Sequence, residues 1–568
     1  MARPWLASYP AGVPADVDPT AYSSLVALAA ESYDRYSNLP AYMCMGKAIT
    51  FSDIDRMSRH LGAWFQNVGL VRGDRIAVMM PNVLQYPIVV AAIMRAGYIV
   101  VNVNPLYTPR ELEHQLKDSG AKAIVILENF AATLQEVIGR TQVEHIVLAS
   151  MGDLLGWAKG ALVNFVVRRK MVPPYSLPGA TPFNATVAAG LGDKLVEPTL
   201  TPDDVAVLQY TGGTTGVSKG ATLTHGALIA AVLASEAWLQ PAFSTKTVTG
   251  QLTYVCALPL YHVFAFVSCS LLALRAGGMC LLIPNPRDIP GFVKELSKRK
   301  FHVLPAVNTL FNGLLNNPEF AKLDFSEFLI SNGGGMAVQE AVARRWKELT
   351  GVPIVEGYGL SETCSGICCN PTDIEAFNGS VGLPMPSVDI KIIDDDGKEV
   401  PRGSPGEIAI RGPQLMANYW NRPDETVKVM TADGFFRSGD IGTIDERGYV
   451  RIVDRKKDMI IVSGFNVYPN EIEGVVAEHP GVLECAAVGI PDPNSGEAVL
   501  LFVVKKDPNL TKEALAEFFK TRLTGYKSPK RVEFRDILPK TNVGKILRRE
   551  LRDEIAAKPA PAPASAPA

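Results

Sequence analysis

The chain has 568 residues, 47% of them hydrophobic and 20% charged, and its 56 basic and 58 acidic residues leave a formal net charge of −2. This composition supports a large hydrophobic core and excludes an intrinsically disordered chain, which has fewer apolar residues and a larger charge imbalance. The charge balance also lacks the basic excess of a nucleic-acid-binding protein. At about 100–200 residues per domain, the length predicts three or four folding units.

Cysteine usage and apolar segments favour a cytoplasmic protein. The eight cysteines form no CxxC pair and are too sparse for a disulfide scaffold. The N-terminus lacks the apolar core of a signal peptide. The longest uncharged stretch, 247–274, is interrupted by Pro259 and His262. A membrane-spanning helix needs about 20 apolar residues, so we expect a buried strand, a turn and a buried helix there.

Apolar runs alternate with helical patterns in the first 200 residues. The apolar runs are 74–80, 98–105 and 122–127, and the helical patterns between them are 87–97 and 110–121. Strands separated by amphipathic helices at this spacing indicate βαβ units and a mainly parallel sheet. The same alternation returns over 251–360, so the sequence predicts an α/β fold with two sheets in series.

The pattern changes after about Pro384 to short strands separated by turn signals such as Asp-Gly and Arg-Gly. We expect a small β-barrel-like subdomain there, which completes a large N-terminal domain (1–453). A smaller α+β C-terminal domain follows (454–555). The Pro/Ala-rich tail (556–568) is of low complexity, and we expect it to be disordered.

Residues 152–175 combine apolar and basic side chains in one helical segment. Its apolar residues include Trp157, Leu162 and Phe165, and residues 168–170 supply three of its four positive charges. A basic amphipathic helix of this kind can lie on an anionic membrane surface. The alternative, which we favour, is a surface helix whose apolar face packs on the domain, because such faces are common. Weak peripheral membrane binding is kept as a hypothesis.

The segment 210–220, YTGGTTGVSKG, follows an apolar run and has the composition of a phosphate-binding loop. Its glycines let backbone N–H groups approach an anion, its hydroxyls add donors and Lys219 adds a positive charge. It is not a Walker A motif, because Val217 occupies a glycine position. A flexible Gly/Thr linker is the alternative. The candidate residues are Thr211, Gly212, Gly213, Thr214, Thr215, Gly216 and Lys219.

Two further segments, 330–338 and 355–363, are apolar strands that end in glycine turns. In α/β sheets, ligands bind outside such strand ends. Tyr358 offers a flat face to a nucleotide base, Glu362 a carboxylate for Mg²⁺, and Thr363 a hydroxyl for a phosphate. Taken alone these turns are weak signals, since Gly-Tyr-Gly is a common sequence.

Two charged segments complete the set of motifs. Asp440 lies between glycine turns, where a carboxylate can accept both hydroxyls of a ribose, and Arg455 can reach the sugar or a phosphate. Lys545 follows Gly544 at a predicted helix start, so its ammonium can project into a cleft. The alternatives are a solvated charged turn at 454–458 and an ordinary surface lysine.

All four motifs, in this order and at these separations, resemble the adenylate-forming enzymes, which include acyl-CoA synthetases, luciferases and peptide-synthetase adenylation domains. The resemblance runs from about residue 20 to 555 and is closest to the bacterial long-chain fatty-acid–CoA ligases. Stretches such as LQYTGGTTGVSKGA, VDRKKDMIIVSGFNVYPNEIE and NVGKILRRELRDE carry it.

The resemblance implies two reactions, with Mg²⁺, ATP and CoA as cofactor and co-substrates. A long-chain fatty acid attacks the α-phosphate of ATP to give acyl-AMP and pyrophosphate, and the CoA thiol then displaces AMP. The C-terminal domain rotates between the two steps about a hinge at Asp454. Lys545 serves the first step, and the loop that holds Gly464 approaches the pantetheine of CoA in the second.

The resemblance also assigns roles to individual residues. Lys545, Glu362, Thr215 and His262 are expected to be catalytic, with Glu362 holding Mg²⁺ and His262 bordering the carboxylate. The loop 211–219 would hold the β- and γ-phosphates. The remaining nucleotide contacts are Gly334, Gly335 and Tyr358 for adenine, Thr363 for the α-phosphate, and Asp440 and Arg455 for the ribose. Phe266 matches the position of an aromatic gate to the fatty-acid tunnel.

Three alternatives stay open at this point. The enzyme could prefer medium-chain or aryl acids, or it could pass its acyl-AMP to a carrier protein, although the complete segment 454–473 disfavours that version. A fatty-acid-binding protein with vestigial catalysis is the alternative from another class. The sequence does not set the preferred chain length, and for the oligomeric state the resemblance points to a homodimer.

Overall fold

The structure, a computed structural model, describes residues 3–211, 218–520, 522–541 and 544–557. Within these residues the strands form four sheets. Two large α/β sheets and a four-stranded antiparallel sheet share one hydrophobic core, and the fourth part of the chain, from residue 460 onward, has cores of its own. Strands and helices are numbered along the chain.

The larger sheet has nine strands in the order β16-β15-β14-β13-β12-β10-β11-β1-β2. Its central strands are parallel, and antiparallel pairs close both edges. The strands are β1 (Pro40–Cys44), β2 (Lys47–Thr50), β10 (Thr253–Cys256), β11 (Met279–Leu282), β12 (Val303–Ala306), β13 (Ile330–Gly333), β14 (Ile354–Leu360), β15 (Ser365–Cys369) and β16 (Leu383–Pro384).

The second sheet has seven strands in the order β7-β6-β5-β3-β4-β8-β9 and is parallel except for the last pair. The predicted alternation of strands and helices in this part of the chain is confirmed. The strands are β3 (Arg75–Met79), β4 (Ile99–Asn102), β5 (Ala123–Leu127), β6 (His145–Ala149), β7 (Thr181–Pro182), β8 (Val205–Thr211) and β9 (Lys219–Thr224).

Helices cover the faces of both sheets, because a parallel sheet buries both of its faces. Local sequence fixes their ends: Thr108 and Glu111 form a capping box at the start of α4, and Gly120, with φ of 63°, ends it in the left-handed conformation. The helices are α1 (Leu25–Arg35), α2 (Phe51–Asn67), α3 (Gln85–Arg95), α4 (Pro109–Ser119), α5 (Ala131–Val137), α6 (Trp157–Met171), α7 (Phe183–Ala189), α8 (His225–Phe243), α9 (Val263–Ala265), α10 (Leu272–Ala276), α11 (Ile289–Leu296), α12 (Asn308–Leu315), α13 (Glu340–Thr350) and α14 (Pro423–Lys428).

A six-residue π-helical turn, Phe266–Leu271, joins α9 to α10 in one continuous helical run. The prediction of a buried strand, a turn and a buried helix across 247–274 is confirmed by β10 and this run. Among the described residues, one helix, α8, is long and apolar enough to cross a membrane, and most of its 18-residue apolar window is buried inside the protein. That burial is typical of a core helix.

The third sheet has four antiparallel strands in the order β17-β18-β19-β20 and takes the place that the sequence assigned to a barrel-like subdomain. Strands β19 and β20 pair Asp440 with Arg455, which brings these two predicted site residues side by side. The strands are β17 (Asp389–Ile393), β18 (Gly406–Arg411), β19 (Phe436–Ile444) and β20 (Val450–Arg455).

The C-terminal part is an α+β unit whose five-stranded sheet has a hydrophobic cluster on each face. Its last helix extends to Ala557, two residues into the tail that the sequence predicted to be disordered, and 558–568 lie outside the described residues. The elements are β21 (Ile460–Val462), β22 (Phe465–Val467), α15 (Pro469–Ala477), β23 (Val482–Asp492), β24 (Gly496–Lys505), α16 (Lys512–Lys520), β25 (Arg531–Arg535) and α17 (Arg548–Ala557).

The helix predicted within 152–175 is present as α6, but the expectation that its apolar face packs on the domain is wrong. Trp157 is 91% exposed, and Leu162 and Phe165 are more than 60% exposed. The helix meets the protein instead through Gly160, which is buried, and through a narrow strip of neighbouring residues. Glycine lets the two backbones approach closely here, so the larger apolar side chains are left on the outside.

Candidate active site

One large cavity, of about 1690 Å³, lies where the ends of the two α/β sheets meet the four-stranded sheet and the C-terminal unit. It is larger than a typical small-molecule site of about 300–1,000 Å³, as a site for more than one substrate requires. The cavity brings together most of the predicted site residues that the structure describes. Those lining it are Thr211, Lys219, His262, Gly334, Gly335, Tyr358, Glu362, Asp440, Arg455 and Lys545.

Lys545 enters the cavity from the C-terminal unit and lies on the glycine turn after β13. A Cβ atom on Gly335 would be 3.3 Å from Lys545 Cε, and Gly335 has φ of +77°, so a side chain there would meet both steric contact and backbone strain. The space at Gly544 is tighter still, because a Cβ there would lie 2.5 Å from Thr309 Oγ1. These two glycines allow the loop of one domain to reach into the other.

The electrostatics of the cavity act mainly on Lys545. Burial, and after it the neighbouring Arg455, lower its pKa to about 8, while Asp440 acts in the opposite direction. An ammonium group that has lost water and lies beside a second cation gains from any anion that arrives. The arrangement is therefore suited to binding a carboxylate or phosphate oxygen.

Asp440 is the buried anion at the centre of the site. Its Oδ2 accepts a hydrogen bond of 2.6 Å from the Tyr358 hydroxyl, and its Oδ1 lies 3.4 Å from Arg455 Nε. An irregular stretch of β19 aims it: the Asp440 N–H donates to Ser438 Oγ, whose hydroxyl donates to the Ile408 carbonyl. Asp440 and Tyr358 thus hold each other at the cavity wall although 82 residues separate them.

Glu362 supplies a second carboxylate, and burial raises its pKa. Its Oε1 accepts a 2.8 Å hydrogen bond from the Tyr419 hydroxyl, and its carbonyl accepts from the Met416 N–H. Raised pKa values mean that a carboxylate lacks compensation for its charge, which a cation would provide. Within the described ranges, no three His, Cys, Asp or Glu side chains cluster as a metal cage. Mg²⁺ fits such a site, because it commonly binds through one or two carboxylates together with substrate phosphates.

The predicted phosphate loop connects β8 to β9, whose register pairs Thr211 with Lys219. Lys219 Nζ forms a 2.5 Å ion pair with Glu425 and lies 5.2 Å from the ring centroid of Tyr419. The base of the loop is thus at the cavity with one cation. The remaining candidates, Gly212, Gly213, Thr214, Thr215 and Gly216, lie outside the described residues.

His262 is uncharged at neutral pH, because burial and the nearby Lys545 lower its pKa to about 3. Its Nδ1 accepts from the Phe264 N–H, so Nε2 carries the proton and is a donor. Phe264 lines the cavity beside the Gly334 turn. Phe266, which the resemblance suggested as a gate, is 1% exposed and packs in the core.

An apolar wall continues the cavity between α8 and the helical run that contains the π-helical turn. Its residues come from these two helical segments and from the strands beside them: Ser235, Trp238, Leu239, Val263, Phe264, Val267, Ser268, Leu272, Val303 and Pro305. Trp238 is fixed by a 3.0 Å hydrogen bond from its indole N–H to the Asn370 carbonyl. This part of the cavity offers almost no charge and suits an apolar group.

Besides Phe266, two predicted residues within the described ranges are not brought to the cavity. Thr363 is fully buried, and its hydroxyl donates to the Ser365 carbonyl and accepts from the Leu360 N–H, so it serves the local turn. Ser361, two residues earlier, lines the cavity instead. Gly464 is exposed in the β21–β22 hairpin, with φ of +83° and open space around it.

Sequence reasoning missed several residues that line the site. Ser361 and Thr363 flank Glu362 and carry the same hydroxyl group. They differ in the direction that the turn gives each residue, which the sequence does not show. Tyr419 could not be found, because nothing in the sequence links it to Glu362, 57 residues away. Lys457 also lines the cavity, and burial and Arg455 lower its pKa to about 8. It lies in the charged turn 454–458, for which the sequence left a solvated turn as the alternative.

The lowered pKa of Lys545 predicts unusual amine chemistry. Competitive acetylation at a series of pH values, read by mass spectrometry, should give a midpoint near pH 8 for Lys545, against about 10.4 for an ordinary lysine. Arg455→Gln removes a positive neighbour and should raise this midpoint, whereas Asp440→Asn should lower it. A midpoint near 10.4 in the unmodified protein would contradict the geometry.

Family models and known proteins match this chain over nearly its whole length. The model described as AMP-binding enzyme matches residues 29–420, and the AMP-binding enzyme C-terminal domain matches residues 471–545. A long-chain-fatty-acid–CoA ligase from Escherichia coli O6:H1 is 55% identical over 98% of this chain and 99% of its own length. The ligase of the same name from Bacillus subtilis is 36% identical over 97% and 98%.

Solved structures agree with the fold. ATP-bound MatB from Rhodopseudomonas palustris is 28% identical and superimposes with a TM-score of 0.78, covering 94% of this chain and 99% of that one. An anthranilate CoA ligase in complex with anthranoyl-AMP, 24% identical, has the same fold with a TM-score of 0.82, covering 95% of this chain and all of its own. The chain therefore belongs to the AMP-binding enzyme family, of which it carries both the large domain and the C-terminal domain.

Proposed function

We propose that this protein is a Mg²⁺-dependent long-chain fatty-acid–CoA ligase. It joins a fatty acid to the α-phosphate of ATP with release of pyrophosphate, and then transfers the acyl group from AMP to the thiol of CoA. The observation that carries the proposal is the position of Lys545, beside Asp440 and on the Gly335 turn, in a cavity whose other wall is apolar. The names of the Escherichia coli and Bacillus subtilis relatives support the substrate class.

The chemistry explains why a cation belongs at this point. A carboxylate does not react with a thiol until one of its oxygens becomes part of a good leaving group, and AMP provides that group. When the carboxylate attacks the α-phosphate, negative charge gathers between the two reactants. Lys545 stabilises that charge, and the uncharged His262 borders the carboxylate and donates through Nε2. The apolar wall takes the alkyl chain, at about 0.8 kcal/mol per buried CH₂ group.

The nucleotide lies along the glycine turns and the four-stranded sheet. Tyr358 and the Gly334–Gly335 backbone hold adenine, while Asp440 and Arg455 hold the ribose hydroxyls. The loop 211–219 holds the β- and γ-phosphates, with Lys219 at its base. For the α-phosphate we propose Ser361 in place of Thr363, because its side chain lines the cavity and that of Thr363 does not.

Mg²⁺ would be held by Glu362 together with the phosphates of ATP. The ion would supply charge neutralisation at the triphosphate, and the protein supplies one carboxylate in a fixed direction. Tyr419 fixes that direction by its hydrogen bond to Oε1. The raised pKa of Glu362 supports this assignment, because the arriving cation compensates the buried charge.

The domain boundary at 453/454 and the rotation about Asp454 are part of the proposal. Asp454 is fully buried at the end of β20, where its carboxylate accepts from the N–H groups of Arg455 and Asn470. The present orientation, with Lys545 in the cavity and Gly464 exposed, is the one that the first reaction requires. We further propose that the enzyme is cytoplasmic and contacts a membrane through residues 152–175.

The substrate class is tested by turnover of ATP to AMP in the presence of CoA. Carboxylic acids from C2 to C18 and benzoate are compared at equal concentration. We expect a maximum between C12 and C18 and no AMP release without CoA beyond a single turnover, because acyl-AMP stays bound until a thiol arrives. A maximum with short acids or benzoate would support the ligase reaction but contradict the long-chain substrate class. Absence of AMP with every acid would contradict the ligase reaction and favour a fatty-acid-binding protein.

The role of Lys545 is tested by separating the two reactions. Lys545→Ala should slow acyl-AMP formation by about 10²–10³-fold, the usual effect of removing a positioned charge from a transition state. Conversion of supplied acyl-AMP to acyl-CoA should stay within a few-fold of the unmodified rate. Lys520→Ala, an exposed lysine of the same domain paired with Glu517, is the matched control. Equal losses in both reactions would point to a general structural defect.

The metal assignment is tested by Mg²⁺ titration of the first reaction. Glu362→Gln should raise the half-saturating Mg²⁺ concentration and lower the maximal rate by about 10²-fold, since a neutral amide cannot compensate the cation. Tyr419→Phe keeps the carboxylate but frees it to rotate, so a smaller effect in the same direction is expected. An unchanged Mg²⁺ requirement in Glu362→Gln would assign the ion to other ligands.

A further inference from the structure

Helix α6 is fastened to the protein along one narrow side. Gly160 packs on Gly152 so closely that a Cβ on Gly160 would lie 2.4 Å from the Gly152 carbonyl oxygen. The Asn164 side chain accepts a 2.7 Å hydrogen bond from the Gly152 N–H. Arg168 donates to Glu128 at 2.9 Å, and Glu128 is only 2% exposed. These contacts fix which side of the helix faces outward.

The outward side of α6 is largely apolar. Ala158, Leu162 and Phe165, followed by the basic Arg169, are spaced by four, three and four positions, so they point away from the side held by Gly160. Leu162 and Phe165 on this face are 64% and 62% exposed, and Trp157 at the start of the helix is 91% exposed. A surface helix of a soluble domain normally presents polar residues in this direction.

Positive charge lies at the C-terminal end of the same helix. Residues 157–171 contain four basic residues and no acidic one. Two of the four are engaged with the protein, because Arg168 pairs with Glu128 and Lys159 donates to the Met45 carbonyl. Arg169 on the outward side and Lys170 next to it in the last turn are both exposed.

We propose that the exposed surface of α6, made of Trp157, Leu162, Phe165, Val166, Arg169 and Lys170, docks on the surface of an anionic lipid bilayer. The helix lies in the plane of the interface, with its aromatic and aliphatic side chains among the acyl chains and its two free basic residues at the headgroups. This deepens the membrane contact proposed above, and its geometry is independent of the ligase chemistry.

Charge favours a bilayer over a second copy of the chain. In a symmetric pair, α6 would face its own equivalent, and the basic residues of one copy would meet those of the other. No acidic residue in 157–171 is present to compensate them. An anionic membrane offers an apolar layer and negative charge in the same place, which is the pattern that this face matches.

The binding is measured by co-sedimentation of the full chain with phosphatidylcholine vesicles, with or without about 30% phosphatidylglycerol. We expect binding to the anionic vesicles that is at least about tenfold tighter than to the neutral ones and that weakens with salt. Trp157→Ser/Leu162→Ser/Phe165→Ser should reduce it at least about tenfold, and Arg169→Gln/Lys170→Gln about tenfold. All of these residues are exposed, so the thermal unfolding temperature should stay close to that of the unmodified protein.

Matched controls have the same chemistry elsewhere on the surface. Val71→Ser/Val427→Ser removes apolar side chains that are 65% and 73% exposed, and Lys194→Gln/Lys512→Gln removes two exposed charges. Both should bind vesicles like the unmodified protein. Equal sedimentation of every variant, equal binding to neutral and anionic vesicles, or an α6-dependent dimer without vesicles would each overturn the proposal. Turnover of a water-soluble acid such as octanoate, assayed without vesicles, tests the ligase separately from the docking.

Discussion

The site depends on one constraint, the burial of the Lys545 ammonium group away from water. Lys545 sits where two domains meet, with Arg455 close enough to oppose its charge and Asp440 close enough to support it. Electrostatic forces grow as the effective dielectric constant falls, so the burial that lowers the pKa of Lys545 also strengthens its attraction for an incoming anion. The protein alone does not fully compensate the positive charge of Lys545, and the anionic groups of the substrates supply the remaining compensation.

The rest of the architecture makes this meeting of domains feasible. Parallel sheets deliver glycine turns at their carboxyl edges, and the Gly335 turn is flat enough for a lysine stem to rest on it. The antiparallel sheet holds Asp440 by a register that pairs it with Arg455. Hydrogen bonds from Tyr358 and Tyr419 then fix two carboxylates that come from different parts of the chain. The two tyrosine contacts span 82 and 57 residues, so these carboxylates are fixed only when distant parts of the chain have come together.

Much of the fold could be predicted from the sequence because βαβ alternation is a local pattern. The motifs were also local, and ten of the predicted residues line one cavity. The direction of a side chain within a turn could not be predicted from local sequence. Thr363 and Ser361 both carry a hydroxyl group beside Glu362, and only the folded structure shows that Ser361 faces the cavity. Phe264 and Phe266 differ in the same way across the start of α9.

The prediction that the apolar face of α6 packs on the domain was wrong for a different reason. Hydrophobic residues occur on all sides of this helix, so periodicity cannot say which side is buried. The buried side is set by the close packing of Gly160 on Gly152. This packing joins two backbones, so a pattern of hydrophobic side chains does not reveal it. Small residues thus selected the contact, and the larger side chains were left outside by exclusion.

The π-helical turn between α9 and α10 has a consequence for how such enzymes change substrates. A π turn holds one residue more than the α-helical turn it replaces, and Val267 and Ser268 within it and Leu272 just after it line the cavity. Loss of the extra residue would restore a regular helix and move the residues inside the turn by one position, about 100° around the helix axis, while the flanking helical segments stay in place. A single deletion would then present a different set of side chains to the acyl group while the strands on either side keep their positions. Length variation inside a helix, and not only substitution along it, is therefore a route by which this cavity can be reshaped.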